Sequence, residues 1–312
     1  MTHKSLPQSE HFIYHELVEG VWAAIVIPTG LAASNSGIVD LGDSTLIFDT
    51  TFSPASAVDL RKAAESLTGR PVNYVLNSHF HNDHVFGNAI FDSTTEIYTT
   101  VRTREIMAKK IVAEIIEFKN YWPAQLKLWT EQAKAAQNET EHLEHEDSVR
   151  FAQSIINTFP QLELRLPDHT FTDRLVFKGT KRTVEFVTFG GGHTESDAIL
   201  YLRVERIIFT GDLLVIKNHP DLTHGDPHAW LDILAKVKAL NPAHLIPGHG
   251  GIGTLDDVIT IERYVIELLQ MAEQNQLEET SALKPPDFTE GWENADAFEG
   301  NMKFLLEKFR SK

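Results

Sequence analysis

Six consecutive residues, His79-Phe80-His81-Asn82-Asp83-His84, constrain this chain more than any other part of its sequence. They carry three imidazoles and one carboxylate, which are side chains that bind metal ions. Residues 71–77 predict a strand because they are apolar and rich in β-branched and aromatic side chains, and residues 85–91 have the apolar spacing of a helix start. The six residues, called the histidine motif below, therefore lie on a strand-to-helix turn. Because so many polar groups in one turn need a compensating charge, the motif favours a metal site over a solvated surface turn.

The composition limits which other residues can bind a metal. The chain has 312 residues and no cysteine. Disulfides, a thiolate nucleophile and cysteine-bound zinc are thereby excluded, so any ligands must come from histidine, aspartate and glutamate. The hydrophobic content of 42% and the charged content of 23% are typical of a soluble globular enzyme.

The net charge and the lack of long apolar runs limit the partners. With 28 Lys and Arg against 44 Asp and Glu, the net charge is −16, and a field of that sign repels phosphate backbones. No stretch has the apolar length of a membrane span, and the N-terminus lacks the apolar core of a secretory signal. We expect a small-molecule substrate, no nucleic acid and no membrane partner, and a cytoplasmic location, with export left open if the chain is a mature form.

The N-terminal part of the chain has strand character. Three runs predict an antiparallel meander: residues 20–27, 36–41 and 44–50. Asp49 ends this meander just before the histidine motif. Two interpretations stay open for it, a helix or turn cap and a hydrogen bond to a metal ligand. Ser53 and Pro54 then predict the capped start of a helix that runs to Leu67.

A long helical segment, about residues 102–157, interrupts the strand-rich sequence. Its apolar side chains recur at spacings of three and four, as on one helix face: Ile111, Ile115, Phe118, Trp122, Leu126, Trp129, Ala133 and Ala136. Pro123 is expected to kink or restart the helix, because it lacks a backbone donor. The stripe is interpreted as core or as a dimer contact, which would make the protein a homo-oligomer. The alternative is that Trp122 and Trp129 line a substrate pocket.

Three later segments repeat one design, in which a strand leads to a turn that carries His or Asp. Glycines precede His193 and allow a sharp turn, so that the imidazole can face inward. A predicted strand presents Asp212 at its end, and a buried apolar strand runs into the glycine-flanked His249. Each segment alone is weak evidence, because a histidine after a glycine turn is more often structural.

The loop after Asp212, residues 217–226, contains two further histidines, His219 and His224. Because the loop follows a candidate ligand, we expect it to lie near the metals. Both histidines are therefore candidate substrate contacts, with loop solvation or helix capping as the alternative.

Together with the histidine motif, these segments resemble the metallo-β-lactamase superfamily over roughly residues 20–270. The resemblance implies an α+β fold, a four-layer αβ/βα sandwich in which two sheets face each other and helices lie outside. We predict a single domain over residues 1–312, with the helical insertion at about 102–157 and a C-terminal helical extension at about 277–312. The two strand-rich halves are compatible with this fold, but the residue pattern alone does not specify it.

The resemblance also implies two divalent metal ions and a set of ligands for each. His79, His81 and His193 would hold the first ion, Asp83, His84 and His249 the second, and Asp212 would bridge them. Nitrogen and oxygen ligands without a thiolate suit zinc, with iron or manganese as alternatives. Two such ions, about 3.5–4 Å apart, share a hydroxide that can attack an ester, lactone, thioester or amide carbonyl. Asp212 and Asp83 are the candidate catalytic carboxylates, the latter also for moving the proton.

Residues at two positions bear on the branch of the family. Asp212 resembles the bridging aspartate of glyoxalase II and of acyl-homoserine lactonases, where class B β-lactamases have cysteine or serine. This disfavours antibiotic hydrolysis as the main activity. The lactonases also carry a tyrosine three residues later, where this chain has Val215. The alternatives are a phosphodiester or sulfate ester hydrolase of the same fold, and a low-turnover metal-binding or redox-accessory protein.

Overall fold

A computed structural model describes residues 6–274 and 283–310, apart from the side chains of Val112, Glu144 and Asp147. The strands in this part of the chain form two sheets. In the first sheet they lie in chain order: β1 (Phe12–Val18), β2 (Val21–Val26), β3 (Ser36–Asp40), β4 (Thr45–Phe48), β5 (Tyr74–Leu76), β6 (Glu96–Thr100) and β7 (His169–Phe171). In the second sheet the order is β12 (His244–His249), β11 (Ile207–Val215), β10 (Asp197–Leu202), β9 (Thr183–Gly190) and β8 (Arg174–Lys178).

The first sheet changes from antiparallel to parallel pairing at β4. Strands β1 to β4 pair as an antiparallel meander, as predicted, whereas β5, β6 and β7 continue the sheet in parallel. The change follows from helix α1 (Pro54–Thr68), which crosses between β4 and β5. Its start is capped by the Ser53 side chain, and Gly69 ends it at φ 76 with a backbone bond to Glu65.

Apolar side chains divide the molecule into four layers. Between the two sheets lies a core that includes Leu46, Phe48, Leu76, Phe186 and Phe209. Helix α1 covers the outer face of the first sheet. The outer face of the second sheet packs against α6 (Pro227–Ala239), α7 (Leu255–Gln274) and α8 (Asp296–Arg310). The predicted four-layer αβ/βα sandwich is therefore confirmed.

Three helices lie between β6 and β7, in the region of the predicted insertion: α3 (Val101–Ile106), α4 (Val112–Ala135) and α5 (Glu139–Ile156), with a π-helical turn over Met107–Ile111. Helix α4 continues through Pro123, so of the two effects predicted for this residue the restart is wrong and the kink stays a prediction. Pro123 is exposed, so water can bond the carbonyl that its missing donor leaves free. The single-domain organisation stays a prediction.

The helix after the histidine motif begins earlier than the sequence predicts. The structure has α2 (Asn82–Val85) inside the motif, and a 3-10 turn over Phe86–Ile90 replaces the helix expected at 85–91. Part of the predicted C-terminal extension, residues 277–282 and 311–312, lies outside the described residues. Among the described helices, none is both long and apolar enough to cross a membrane.

Candidate metal centre

The histidine motif lies at the end of β5, where the chain turns into α2. His79 and His84 are almost completely buried, while His81 and Asp83 face the open side and are half-buried. His81 occupies the N-cap position of α2 with an extended backbone. The motif therefore splits its side chains between the interior and the open edge of the sandwich.

Asp212 lies within β11 rather than at its end, which corrects the predicted position. The pairing of β11 with β12 is irregular on both sides of Gly211, which has φ 53. A left-handed conformation of this kind is accessible to glycine and lets a strand bulge without ending. The bulge places the Asp212 carboxylate beside the histidine motif.

The structure brings the seven candidate ligands together in two groups. The first group contains His79, His81, His193 and Asp212, and the second contains Asp83, His84 and His249. In each group the potential ligand atoms lie within 4.8 Å of one another. These are the two groups that the resemblance implies, although the number of ions that they hold stays a prediction.

The Asp212 carboxylate lies between the two groups. Its Oδ2 is 3.4 Å from Nε2 of His193 and 3.4 Å from Nε2 of His249, and its Oδ1 is 3.1 Å from Nε2 of His84. Asp83 contacts only the second group, with its Oδ2 3.3 Å from Nε2 of His249. Asp212 therefore lies at the junction of the two groups, and its role as a bridging ligand stays a prediction.

Three buried polar atoms at the centre form no hydrogen bond of good geometry, although two of them, Nε2 of His84 and Oδ1 of Asp212, lie 3.1 Å apart. They are Nε2 of His79, Nε2 of His84 and Oδ1 of Asp212. An unpartnered buried polar atom is costly, and native proteins rarely tolerate several together. All three belong to the seven candidate ligands and to residue types that bind zinc, so the donor set fits divalent metal ions.

The five histidines of the two groups all have their second ring nitrogen occupied. The pairs are Nδ1 of His79 with Oγ of Ser78, Nε2 of His81 with Nδ1 of His224, Nδ1 of His84 with Oδ2 of Asp49, Nδ1 of His193 with the carbonyl of Asp221, and Nδ1 of His249 with the carbonyl of Ala33. Partners of this kind fix the orientation of metal-binding imidazoles. The nitrogens left for a metal are Nδ1 of His81 and Nε2 of the other four.

The Asp49 carboxylate supports two of these histidines. It accepts hydrogen bonds from Nδ1 of His84 at 2.9 Å and from Oγ of Ser78 at 2.8 Å. Because the only Ser78 hydroxyl proton goes to Asp49, Oγ must accept from Nδ1 of His79, which leaves Nε2 of His79 with a free lone pair. Of the two interpretations left open for Asp49, the structure therefore shows the hydrogen bond to a ligand.

Burial and neighbouring charges shift the pKa values of several candidate ligands. Burial by itself would raise the pKa of Asp212, but His84 and His249 hold that pKa well below its ordinary value. Burial lowers the pKa of His79 well below its ordinary value, which keeps its imidazole neutral. Burial also works against protonation of His84, but Asp212, Asp83 and Asp49 together hold its pKa well above the ordinary value. A divalent cation bound at the centre would take the place of the proton that these carboxylates attract to His84.

The turn that carries His193 is held by Asp197. Its buried carboxylate accepts hydrogen bonds from the backbone N–H of Gly192 at 2.8 Å and from both N–H and Oγ1 of Thr194. Burial raises the pKa of Asp197, and the nearby His193 and these donors oppose that rise. Asp197 thus fixes the backbone on both sides of His193.

Gly248 makes room for Asp212. A Cβ atom at Gly248 would lie 1.7 Å from Oδ1 of Asp212, so no larger residue fits without displacing the carboxylate. The side chain of Asn35 holds the surrounding loop by donating to the carbonyls of Pro247 and Gly250. The glycine before His249 therefore has a steric function.

The two histidines of the loop 217–226 occupy different environments. His224 lies at the rim, where its Nδ1 is 2.9 Å from Nε2 of His81. His219 is 2% exposed, and its Nδ1 lies 2.9 Å from the hydroxyl of Tyr264 while its ring packs on Trp292. Burial lowers its pKa. The structure brings His224 to the metal centre but places His219 in the interior, without the open surface that a substrate contact needs.

Trp122 and Trp129 lie in the helical hairpin formed by α4 and α5. Their rings are 6.2 Å apart, and Trp122 packs on Phe151 of α5 at 5.5 Å. Phe118, one helical turn before Trp122, contacts Phe86, which follows the histidine motif in the sequence. These contacts agree with the interpretation of the apolar stripe as part of the core. A pocket-lining role for the two tryptophans stays a prediction.

The sequence alone indicates no role for Asp197 or Gly248, and it leaves two interpretations open for Asp49. The position of Asp197 is weak evidence for a role at the glycine turn, since this carboxylate follows the turn by only a few residues. The position of Gly248 is clearer evidence, because a glycine directly before a candidate ligand indicates a close approach of two chain segments. The partner of each residue lies far away in sequence, so neither role follows from spacing.

Comparison with known sequences decides the family. The sequence model of the metallo-beta-lactamase superfamily matches residues 29–249, more than two thirds of the chain. The chain belongs to the metallo-beta-lactamase superfamily. The matched region contains the histidine motif and all of the other candidate ligands.

Two curated proteins resemble parts of the chain. The Metallo-beta-lactamase type 2 of Bacteroides fragilis is 31% identical over 106 residues, which are 32% of this chain and 43% of that protein. The Beta-lactamase-like protein 2 homolog of Caenorhabditis elegans is 32% identical over 75 residues, 24% of each chain. The chain therefore spans less than half the length of these two relatives.

Solved structures of the superfamily share the fold over most of the chain. A metallo-beta-lactamase from Pontibacter korlensis superposes with a TM-score of 0.60 at 17% identity and covers 82% of this chain and 99% of its own. The metallo-beta-lactamase FIM-1 from Pseudomonas aeruginosa, solved in a mono-zinc form, has a TM-score of 0.58 at 15% identity, with coverages of 84% and 98%. At these identities the likeness shows the fold alone.

Proposed function

We propose that the protein is a metal-dependent hydrolase that holds two divalent ions and cleaves an ester, lactone, thioester or amide bond of a small molecule. The position of Asp212 carries the proposal, since one carboxylate lies 3.1 Å from His84 in one ligand group and 3.4 Å from His193 in the other. Zn²⁺ is the simplest occupant of such a nitrogen and oxygen site, with iron or manganese as alternatives. Membership of the superfamily supports hydrolysis as the reaction class.

Divalent ions supply a bound water of lowered pKa and a Lewis acid for the substrate carbonyl. The chain contributes the remaining functions. Asp212, whose side chain is 8% exposed, offsets positive charge at the junction of the two groups. Asp83 is more open at 17%, and both His84 and His249 hold its pKa well below the ordinary value against the effect of burial. We assign to Asp83 the orientation of the attacking water and the acceptance of its proton.

The charge of the chain supports a small-molecule substrate. A net charge of −16 disfavours nucleic acids and other polyanions. The carboxylate at position 212, where class B β-lactamases carry cysteine or serine, makes a β-lactam a secondary substrate in this proposal. A cytoplasmic location and self-association stay predictions.

Metal analysis and a substrate panel test this proposal together. Protein purified without chelator is analysed for metal by mass spectrometry and assayed with a lactone, a thioester, a chromogenic cephalosporin, an aryl phosphodiester and an aryl sulfate. We expect about two equivalents of metal and turnover of the lactone or thioester. Asp212→Ala should lose metal and activity while folded, whereas Asp232→Ala, an exposed change on α6, should keep both. Failure to take up metal would overturn the proposal. Full metal content without turnover would indicate the low-turnover alternative.

A further inference from the structure

The loop 217–226 touches two ligands of the first metal group. Nδ1 of His224 lies 2.9 Å from Nε2 of His81, and the carbonyl of Asp221 lies 2.9 Å from Nδ1 of His193. Comparable supports of the second group come from other parts of the chain, namely Asp49 and Ala33. The loop 217–226 thus holds two of the three histidines of the first group, whereas Asp49 holds His84 in the second group and reaches His79 in the first through Ser78.

The hydrogen bond between His81 and His224 has only one polarity that leaves His81 free to bind a metal. Nδ1 of His81 points at the first group, 3.0 Å from Nε2 of His193. For Nδ1 to keep its lone pair, the proton of the neutral His81 ring must sit on Nε2 and be donated to Nδ1 of His224. His224 is therefore the acceptor that selects the metal-binding tautomer of His81.

The packing around His224 suits a fixed acceptor. Its ring contacts the buried Phe80 at 5.6 Å and His81 at 5.0 Å, both edge-on. Oδ1 of the nearby Asp221 carboxylate accepts from the backbone and hydroxyl of Thr223 at 2.7 and 2.6 Å, while its Oδ2 lies 3.5 Å from Nδ1 of His224. Because Nδ1 of His224 is closer to Nε2 of His81, at 2.9 Å, His81 is its hydrogen-bond partner.

We propose that His224 is a positioning residue that orients His81 for the first metal ion, so that the loop 217–226 acts on the first group through His81 and His193. The proposal rests on the proposed metal site. It differs from a third ion held by His81, Asp221 and His224, whose potential ligand atoms also lie within 4.8 Å of one another. A third ion would require both nitrogens of His81 to bind metal, which a neutral imidazole with one lone pair does not allow.

The test compares two substitutions of His224 with a nearby control. His224→Ala removes the acceptor, whereas His224→Asn places Oδ1 close to where Nδ1 lay. His228→Ala changes an exposed histidine on the first turn of α6. Each is made in the complete chain and again in a His249→Ala background, where only the first group keeps all of its ligands. Co²⁺ binding is measured by competition with a chromophoric chelator, together with the visible spectrum of bound Co²⁺ and the melting temperature of the metal-free protein.

In the His249→Ala background we expect His224→Ala to weaken Co²⁺ binding by about 10–100-fold, the usual effect of removing such a partner. His224→Asn should recover most of the loss, and His228→Ala should show none. The metal-free melting temperature should stay within the range of the control. Unchanged Co²⁺ affinity in His224→Ala would overturn the inference. So would a melting temperature of metal-free His224→Ala far below that of the His228→Ala control, since general destabilisation would then explain the weaker binding. A third equivalent of metal that disappears with His224 would assign the contact to an additional ion. Absence of metal binding by the unmodified chain would instead refute the proposed function.

Discussion

Nδ1 of His84 donates a hydrogen bond of 2.9 Å to Oδ2 of Asp49, and both side chains are buried. The same carboxylate holds Ser78, which in turn holds His79. One acidic side chain therefore orients a ligand of each metal group. Asp49 does this from a left-handed backbone conformation, at φ 59, which aspartate tolerates better than most residues.

Asp49→Asn should weaken metal binding without unfolding the protein. An amide keeps the size of the side chain but provides a single acceptor oxygen for the three hydrogen bonds that Asp49 now accepts. We expect a loss of about 10–100-fold in metal affinity, measured by chelator competition. Asp43→Asn, in the exposed hairpin between β3 and β4, is the matched control. Equal metal affinity of the two variants would show that Asp49 does not orient His84.

Gly248→Ala should displace Asp212. The added Cβ would lie 1.7 Å from Oδ1 of Asp212, which is closer than two non-bonded atoms can approach. Because this Cβ is fixed to the backbone, the carboxylate has to move. We expect loss of at least one metal equivalent and of hydrolysis, with a native circular dichroism spectrum. Gly251→Ala is the control, because no atom lies within 4 Å of its added Cβ. Normal metal content in Gly248→Ala would contradict the bridging position of Asp212.

His219→Ala should affect stability more than catalysis. The substitution removes a buried ring that bonds to Tyr264 and packs on Trp292. We expect a loss of roughly 1–3 kcal/mol in the free energy of unfolding, by denaturant titration. The KM for whichever panel substrate is turned over should not change. A raised KM with unchanged stability would instead restore His219 as a substrate contact.

Asp40 should contribute to stability in a pH-dependent way. Burial by itself would raise its pKa, but Lys181, the backbone of Gly42 and Arg70 together lower it below the ordinary value of 3.8. Because the folded-state pKa is the lower one, the stabilisation is present above pH 3.8 and is lost as the pH falls through the folded-state value.

Asp40→Asn tests this contribution. At pH 7 we expect it to cost about 1 kcal/mol, since both cationic partners are partly exposed to solvent. The difference from the unmodified chain should shrink as the pH falls below 3.8. Urea titrations at a series of pH values measure it, and a difference that is constant with pH would exclude the charge as its cause.

Much of the metal centre could be predicted from the sequence because its chemistry is local. The histidine motif concentrates its ligands in one turn, and glycines mark the turns that carry His193 and His249. The family resemblance then supplied the four-layer fold, which strand and helix patterns alone could not select. Hydrophobic periodicity identifies the buried face of each element, but it does not say which element covers that face.

The tertiary structure decided what depends on contacts between distant segments. The sequence does not show that Asp49 bonds to His84, that His219 packs on Trp292 or that His224 contacts His81. Each pair comes together only when two distant segments of the chain meet in the fold. The tertiary structure also places Pro123 inside a continuous helix, where exposure to water makes its missing backbone donor tolerable. The sequence by itself thus determined which side chains can bind metal, because ligand chemistry belongs to residue types. Only the fold decided how those ligands are oriented, because orientation depends on the partners that packing brings together.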